Sequence, residues 1–268
     1  ARFFPGLGRG DVALTAYVLA IAHAAGWELP PDARARMLRA LEDYVAGRLE
    51  TPERPWLDNR ARLALRLNAL EALARYGRAT PELVSTLKPE PETWPTAALI
   101  DWIGLLGHSP ALPGREAWLK TAQAVLKARL YYTGRRLTFG REAQDQFWWM
   151  LASPDTNAVR ALLAVMELPE WKAEVPKLVL GVLARQSRGH WNSTTANAWG
   201  AVAMERYTRL YEAQRPNGRS YAWLGRDGRF VDWQATPRGA TAFFPLPADD
   251  ATLKLMHQGA GQPYVTVS

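Results

Sequence analysis

One stretch near the start of the chain decides the fold: Val12-Ala13-Leu14-Thr15-Ala16-Tyr17-Val18-Leu19-Ala20-Ile21-Ala22-His23-Ala24-Ala25-Gly26. It contains no Asp, Glu, Lys or Arg, so it predicts a helix without a charged face. Asp11 is a suitable N-cap, and Gly26 is a suitable C-terminal stop. The stretch is shorter than the roughly twenty residues that a membrane span requires. We therefore predict a helix that protein covers on every side.

The helix that follows differs in having a charged face. It is predicted from Pro31 to Leu49, and its charged residues recur on one side: Arg34, Arg36, Arg39, Glu42, Asp43 and Arg48. An amphipathic helix of this kind covers a core with one face and meets water with the other. An enclosed helix followed by a half-exposed one predicts two concentric layers of helices.

The same alternation recurs along the chain. Inner helices are predicted to start near residues 11, 58, 96, 155 and 193, and the amphipathic partners of the second to fourth are residues 81–87, 115–130 and 171–185. A spacing of roughly forty to sixty residues is too irregular for a short-repeat solenoid. It favours a closed ring of helical hairpins, an α/α toroid. Because such rings usually contain six hairpins, we expect a further hairpin before Ala1, so that this toroid is N-terminally incomplete.

The pattern changes after Pro216, where short runs of aromatic and β-branched residues predict strands. The first two strands, residues 220–224 and 230–233, flank a turn with Gly225 and Gly228. Further short strands are predicted at residues 242–245, 251–256 and 263–267. This segment is too small to be an independent sheet domain. The predicted fold class is therefore mainly α, with a toroid at residues 1–215 and a C-terminal β segment at residues 216–268.

Composition narrows the classes of function. The chain of 268 residues has a formal net charge of +7, with 33 Lys and Arg against 26 Asp and Glu. The Arg residues alternate with acidic ones along helix faces and do not form a basic stripe, which disfavours a nucleic-acid partner. There is no cysteine, so disulfides, thiolate metal sites and thiol nucleophiles are excluded within this chain.

Three aspartates stand at the starts of predicted inner helices, and they have two interpretations. Asp11, Asp58 and Asp155 would gather at one rim of a toroid, where carboxylates could act as the acid and base of a glycoside hydrolase. They are equally suited to be helix N-caps, and caps are the favoured interpretation. We expect that replacing each by Asn, which caps about as well, changes stability little.

The histidines do not form a recognisable site in the sequence. His23, His108, His190 and His257 are far apart and lack the spacing of metal ligands. His23 lies within the enclosed helix, where we expect it in the core. No metal, cofactor or catalytic residue is therefore assigned.

Three segments, in this order and spacing, are similar to the thioester domain of the bacterial alpha-2-macroglobulins. They are Gly10–Leu19, then Phe147-Trp148-Trp149 with Ser153–Ala158, and finally Trp191–Trp199. The resemblance covers residues 1–215. It implies an α/α toroid inserted between two parts of a β-sandwich domain, so that residues 216–268 resemble part of the adjoining sandwich.

The chemistry of that family does not carry over to this sequence. Its reactive centre is a Cys-x-Glu-Gln thioester, in which thiolate is the leaving group, and this chain has no cysteine. Two alternatives remain open: the motif lies in the expected upstream hairpin, or the parent is a relative that lacks it.

Two classes of function follow. The first is a non-catalytic module of a periplasmic alpha-2-macroglobulin-like protein for protease trapping and cell-envelope defence, whether or not the parent is anchored to the inner membrane. Its partners would be proteases and other domains of the parent chain, without nucleic acid and without a membrane span in this chain. The alternative is a toroidal carbohydrate-active enzyme that uses the rim carboxylates.

Overall fold

Helices dominate the fold as far as residue 211. The computed structural model describes residues 1–2, 10–49, 57–140, 147–247, 250–261, 263, 265 and 267. The helices are α1 (Val12–Ala24), α2 (Pro31–Val45), α3 (Asn59–Ala74), α4 (Pro81–Ser85), α5 (Thr96–His108), α6 (Arg115–Ala128), α7 (Pro154–Val165), α8 (Val175–Leu183) and α9 (Thr194–Tyr211). Single 3₁₀ turns occur at Trp148–Met150 and Pro169–Trp171. The chain divides into two compact units, residues 1–203 and 204–268.

Helix α1 is enclosed, as its sequence predicts. Asp11 caps it through a hydrogen bond that its Oδ1 accepts from the backbone N–H of Leu14 at 2.8 Å. Between Val12 and Ala24 seven residues are buried, five are half-buried, and His23 alone is exposed. The expectation that His23 lies in the core is therefore wrong. It occupies the last turn, where α1 reaches the surface of the unit.

The helices of the first unit form two layers. The inner row is α1, α3, α5 and α7, and each of these helices packs against the next. Helices α3 and α5 are buried along most of their length. The outer helices are half-buried: α2 covers α1 and α3, α6 covers α5, and α8 covers α7. In the described part of the first unit, α1, α3, α5 and α7 are thus more buried than α2 and α6, which agrees with the predicted alternation.

A hairpin that the sequence analysis did not predict follows α6. Strands β1 (Leu130–Thr133) and β2 (Arg136–Phe139) pair antiparallel around Gly134, which has a φ of 59°. Helix α6 consequently ends at Ala128 and does not reach Leu130. Strand β2 packs against α8 at Gly181, where an added Cβ would lie 2.1 Å from the carbonyl oxygen of Leu137.

The second unit contains a three-stranded antiparallel sheet in the order β4-β3-β5. Its strands are β3 (Arg219–Leu224), β4 (Asp227–Asp232) and β5 (Leu253–Gln258). Trp223 pairs with Gly228 across the strands, and a Cβ at Gly228 would lie 2.9 Å from the indole. The strand expected at residues 242–245 is absent, and Pro245 and Pro247 lack the N–H that a ladder requires. The strand expected at residues 263–267 falls partly outside the described residues.

The start of α9 is held by the tryptophan that precedes it. Asn197 accepts a hydrogen bond from the backbone N–H of Trp191 at 3.1 Å and donates one to its carbonyl at 2.8 Å. The indole Nε1 of Trp191 donates to the carbonyl of Val182 at 3.0 Å, which ties α9 to α8. The indole lies over Gly200, where an added Cβ would stand 2.1 Å from its ring. These contacts give Trp191, Asn197 and Gly200 each a structural role at the start of α9.

We expect Gly200→Ala to lower the free energy of unfolding by roughly 1–3 kcal/mol, because the new methyl group forces Trp191 out of its packed position. Gly107→Ala is the matched control, since Gly107 lies near the end of α5 with nothing within 4 Å of its Cβ position. The control should be neutral or slightly stabilising. Urea denaturation of both variants measures the difference, and equal stabilities would contradict the packing argument.

Candidate functional site: the charged interior of the helical unit

The three aspartates at helix starts do not share one role. Asp11 and Asp58 are N-caps as predicted, and the Oδ1 of Asp58 accepts from the backbone N–H of Ala61 at 2.8 Å. Asp155 is not a cap, because α7 begins one residue earlier and Ser153 caps it, accepting from the backbone N–H of Thr156 at 3.1 Å. The cap interpretation is therefore right for two residues and wrong for Asp155.

Asp155 instead joins α7 to two later segments. Its Oδ1 accepts from the Nε of Arg185 at 2.8 Å, and its Oδ2 accepts from the backbone N–H of Asn192 at 3.1 Å. The carboxylate is nearly buried, and the ion pair lies just beyond the end of α8. Both oxygens are thus engaged in holding the approach to α9, which leaves this aspartate as a structural clamp.

The charged interior is an arrangement that the sequence analysis missed. It consists of two ion pairs between largely buried helices: Glu71 of α3 with Arg75, the residue that follows α3, and Asp101 of α5 with Arg160 of α7. Glu71 and Asp101 are both almost completely buried. The Nε of Arg75 donates to Glu71 Oε1 at 2.7 Å, and Arg160 Nη2 donates to Asp101 Oδ1. The available signal was a set of charged residues within apolar helices, and those charges require partners.

A tryptophan of α9 lies against both cations. The guanidinium of Arg75 is 5.6 Å from the ring centre of Trp199, and that of Arg160 is 5.4 Å from it. Such positions over an aromatic face stabilise a cation electrostatically. Tyr17 of α1 meets the same indole edge-on, with ring centres 6.3 Å apart. Trp199 therefore links α1, α3, α7 and α9 around the ion pairs.

Two small details show how closely the charged interior is packed. Gly104 of α5 lies against Glu71, and an added Cβ would stand 3.0 Å from Glu71 Oε1. Asn68 Nδ2 donates to Asp101 Oδ2 at 3.4 Å, which connects α3 to α5 a second time. Among the described residues Glu71 Oε2 has no hydrogen-bond partner. Glycine at position 104 is thus what allows α5 to approach the carboxylate of α3.

The carboxyl groups of Glu71 and Asp101 are shifted in opposite directions. Burial raises the pKa of Asp101 to about 6, an effect that the nearby charge of Glu71 reinforces and that Arg160 opposes. Burial also works against ionisation of Glu71, but the charges of Arg75 and Arg160 outweigh it and lower the pKa of Glu71. Near neutral pH the cluster therefore holds two carboxylates and two guanidinium groups, with Asp101 the first to accept a proton.

Chemically, this arrangement is suited to holding helices together. Each carboxylate is paired with an arginine, so neither is placed as the acid and base of a hydrolytic pair. In the parts of the chain that the structure describes, no group of three or more His, Asp or Glu side chains is arranged to bind a metal ion. Buried ion pairs of this kind also favour one association of the helices, since a different packing would leave a buried charge without its partner.

Two of the four histidines come together in the structure. The rings of His23 and His108 lie at the C-terminal ends of α1 and α5 with centres 5.7 Å apart. Tyr76, just beyond the end of α3, contacts His23 with ring centres 5.2 Å apart. His190 lies before α9, and its Nδ1 is 3.1 Å from the carbonyl oxygen of Trp191. His257 lies on β5 in the second unit.

The aromatic cluster at Phe147-Trp148-Trp149 is divided between packing and solvent. Phe147 and Trp149 contact each other edge-on with ring centres 6.1 Å apart. Trp148 points away and is 78% exposed. Trp148 is therefore available to a neighbouring molecule or domain, whereas the other two rings hold the 3₁₀ turn.

In the described residues, no helix combines the length and the hydropathy that crossing a lipid bilayer requires.

Asp155→Asn should lower the free energy of unfolding by roughly 1.5–3 kcal/mol, because it removes the charge that Arg185 meets in a mostly buried site. Asp58→Asn is the control and should change stability little, since Asn caps a helix about as well as Asp. Thermal and urea unfolding of the two variants provide the comparison. Equal effects would mean that the Asp155 contacts contribute no more than a cap.

Arg160→Met should lower the free energy of unfolding at pH 8 by roughly 3–5 kcal/mol, because it leaves a buried carboxylate without its cation. The loss should be smaller at pH 5. Since the pKa of Asp101 in the folded protein is raised to about 6, its contribution to stability is present at low pH and is lost as the pH rises through 6. Urea unfolding at both pH values is the measurement.

Two further variants control that experiment. Arg78→Met removes an exposed ion pair with Glu42 and should change stability by no more than about 1 kcal/mol at either pH. Asp101→Asn should reduce the dependence of stability on pH between 5 and 7, because it removes a carboxyl group whose pKa in the folded protein is about 6. A pH-independent loss for Arg160→Met would contradict the assignment.

The fold is similar to that of several solved structures. Over 93% of this chain, it matches alpha-2-macroglobulin from Escherichia coli activated by porcine elastase, with a TM-score of 0.55 and 17% sequence identity. The native E. coli protein from domain MG7 to its C-terminus matches over 93% of this chain, with a TM-score of 0.55 and 19% identity. Salmonella alpha-2-macroglobulin reacted with methylamine matches over 93% of this chain, with a TM-score of 0.53 and 17% identity.

The matched region is a limited part of these proteins: 20%, 35% and 14% of the three chains, respectively. No protein-family model matches the sequence, and no curated protein does. At such identities the likeness concerns the fold. The resemblance that the sequence predicted is confirmed at that level: this chain has the fold of a domain-sized part of the bacterial alpha-2-macroglobulins.

Proposed function

We propose that this chain is a non-catalytic module of a periplasmic bacterial alpha-2-macroglobulin-like protein that takes part in protease trapping and cell-envelope defence. The observation that carries the proposal is the fold match over 93% of the chain to alpha-2-macroglobulins of E. coli, native and activated by elastase. The partners are proteases and the other domains of the parent chain. In this role the module supplies a rigid helical body within a larger assembly.

The proposal includes a specific architecture. Residues 1–215 form an α/α toroid that corresponds to a thioester domain, and residues 216–268 form part of an adjoining β-sandwich. The side-by-side order of α1, α3, α5 and α7 supports it, because consecutive inner helices of a toroid are neighbours. The contacts of Trp199 with Tyr17, Arg75 and Arg160 also support it, since they lead from α9 to helices on either side. An experimental structure of the longer protein tests this architecture.

The carboxylates favour the module over the alternative, a toroidal carbohydrate-active enzyme. A glycoside hydrolase needs one carboxyl group that donates a proton and a second that acts as base or nucleophile. Asp11 and Asp58 accept hydrogen bonds as caps, and Asp155 is paired with Arg185. The buried Glu71 and Asp101 are paired with arginines as well. None of these groups therefore offers the pairing that glycosidic hydrolysis requires.

A module of this sequence would act without forming a covalent bond. Capture of a protease through a thioester requires a thiol, and the chain contains no cysteine. We infer that any trapping to which this chain itself contributes relies on non-covalent enclosure by surfaces of the whole parent protein. The exposed Trp148 is one candidate contact within this chain.

The chain should form no adduct with methylamine, because its glutamines are ordinary amides whose leaving group is far poorer than a thiolate. Intact-mass measurement after incubation at neutral pH should give an unchanged mass. Salmonella alpha-2-macroglobulin, whose structure has been determined after reaction with methylamine, is the positive control. A reproducible mass gain at a single glutamine of this chain would contradict the assignment.

Trapping by enclosure predicts a size-dependent inhibition by the parent protein. Incubation with elastase should block cleavage of a large protein substrate, while a small chromogenic peptide is still cleaved because it diffuses to the enclosed protease. Equal inhibition of both substrates would indicate active-site blocking instead. Unchanged cleavage of both would reject protease trapping.

A further inference from the structure

The C-terminal ends of α1 and α5 bring together two histidines to which the sequence analysis gave no functional role. His23 ends α1 and His108 ends α5, and both side chains are exposed. Helix α3 lies between these two helices and packs against each. The two imidazoles thus meet above the end of α3, where Tyr76 packs against His23. This pair is separated by 85 residues in the sequence and is created by the fold.

The distance between the two ring centres can be compared with the distance expected for two histidines that bind the same metal ion. An imidazole nitrogen lies about 1.1 Å from its ring centre and a Zn–N bond is about 2.1 Å, so each ring centre stands about 3.2 Å from the metal. Two ligands at a tetrahedral angle then have ring centres about 5.2 Å apart, whereas cis ligands of an octahedral ion have them about 4.5 Å apart. The observed separation is 5.7 Å. It lies closer to the tetrahedral value and requires little movement of exposed side chains.

We propose that His23 and His108 form an open, two-histidine site for a tetrahedral divalent transition-metal ion of the Zn²⁺ class, with water molecules as the remaining ligands. Imidazole nitrogen is a ligand that Zn²⁺ prefers. The last carbonyl groups of α1 and α5 give both helix ends a partial negative charge, which favours a cation. Bound metal would clamp the two helices that flank α3.

Nearby charges limit the affinity. Arg34 and Arg75 are close enough to Tyr76 to lower its pKa, although burial is the larger effect and raises it. Glu71 balances Arg75 within its ion pair. Two protein ligands without a third also give fewer bonds than a closed site. The site is therefore one of moderate affinity that responds to metal concentration.

Isothermal titration of the full chain, without any histidine tag, with Zn²⁺ at pH 7.5 tests the proposal. We expect one ion per chain, bound more weakly than in a closed four-ligand site because only two imidazoles ligate it. His23→Gln and His108→Gln should each weaken binding about tenfold or more. His190→Gln and His257→Gln are matched controls and should bind as the unaltered chain does. Mg²⁺, which prefers oxygen ligands, should not bind.

Two readouts separate a metal site from a general effect on folding. Circular dichroism should be the same for all four variants, because the substituted side chains of α1 and α5 are exposed. Co²⁺ in place of Zn²⁺ should give the intense visible bands of a tetrahedral complex in the unaltered chain, and neither His23→Gln nor His108→Gln should give them. Absence of Zn²⁺ binding up to 1 mM, or equal binding by all variants, would overturn the proposal.

Discussion

The helical unit depends on charges that water does not reach. Glu71, Asp101 and Arg160 are held inside an otherwise apolar packing, where an unpaired charge would cost several kcal/mol. Because Asp101 and Arg160 belong to different helices, their ion pair forms only where the packing of α5 against α7 brings these two residues together. Trp199 then covers the two guanidinium groups from α9. The ion pairs thus act as a constraint on helix order more than as a source of net stability.

Small residues make that constraint compatible with close packing. Gly104 lets α5 approach Glu71, and Gly200 lets the indole of Trp191 lie on α9. The raised pKa of Asp101 means that acidification neutralises the cluster at one carboxyl group first. The charged interior is therefore closely packed and ionised near neutral pH, and Asp101 is the carboxylate that is protonated first as the pH falls.

This chain shares a fold with alpha-2-macroglobulins but lacks the cysteine that their thioester chemistry requires. Its likeness to bacterial alpha-2-macroglobulins rests on TM-scores of up to 0.55 at 17–19% identity, yet it has no cysteine with which to build a thioester. What the chain keeps is the layered packing of helices, together with capping and clamping contacts at their starts. In the proposed function, the chain therefore contributes this helical packing without a reactive bond of its own.

The sequence by itself determined the layers, because enclosure and amphipathicity are written in local residue patterns: Val12–Ala25 has no charge, and residues 31–49 carry a charged face. It likewise determined the caps at Asp11 and Asp58, since an N-cap needs only its own first turn. Tertiary structure alone decided the role of Asp155, whose partners Arg185 and Asn192 lie 30 and 37 residues away. It also decided the pairing of Asp101 with Arg160 and the meeting of His23 with His108. Local periodicity specifies which face a residue occupies, whereas the partner across that face depends on how distant helices are stacked.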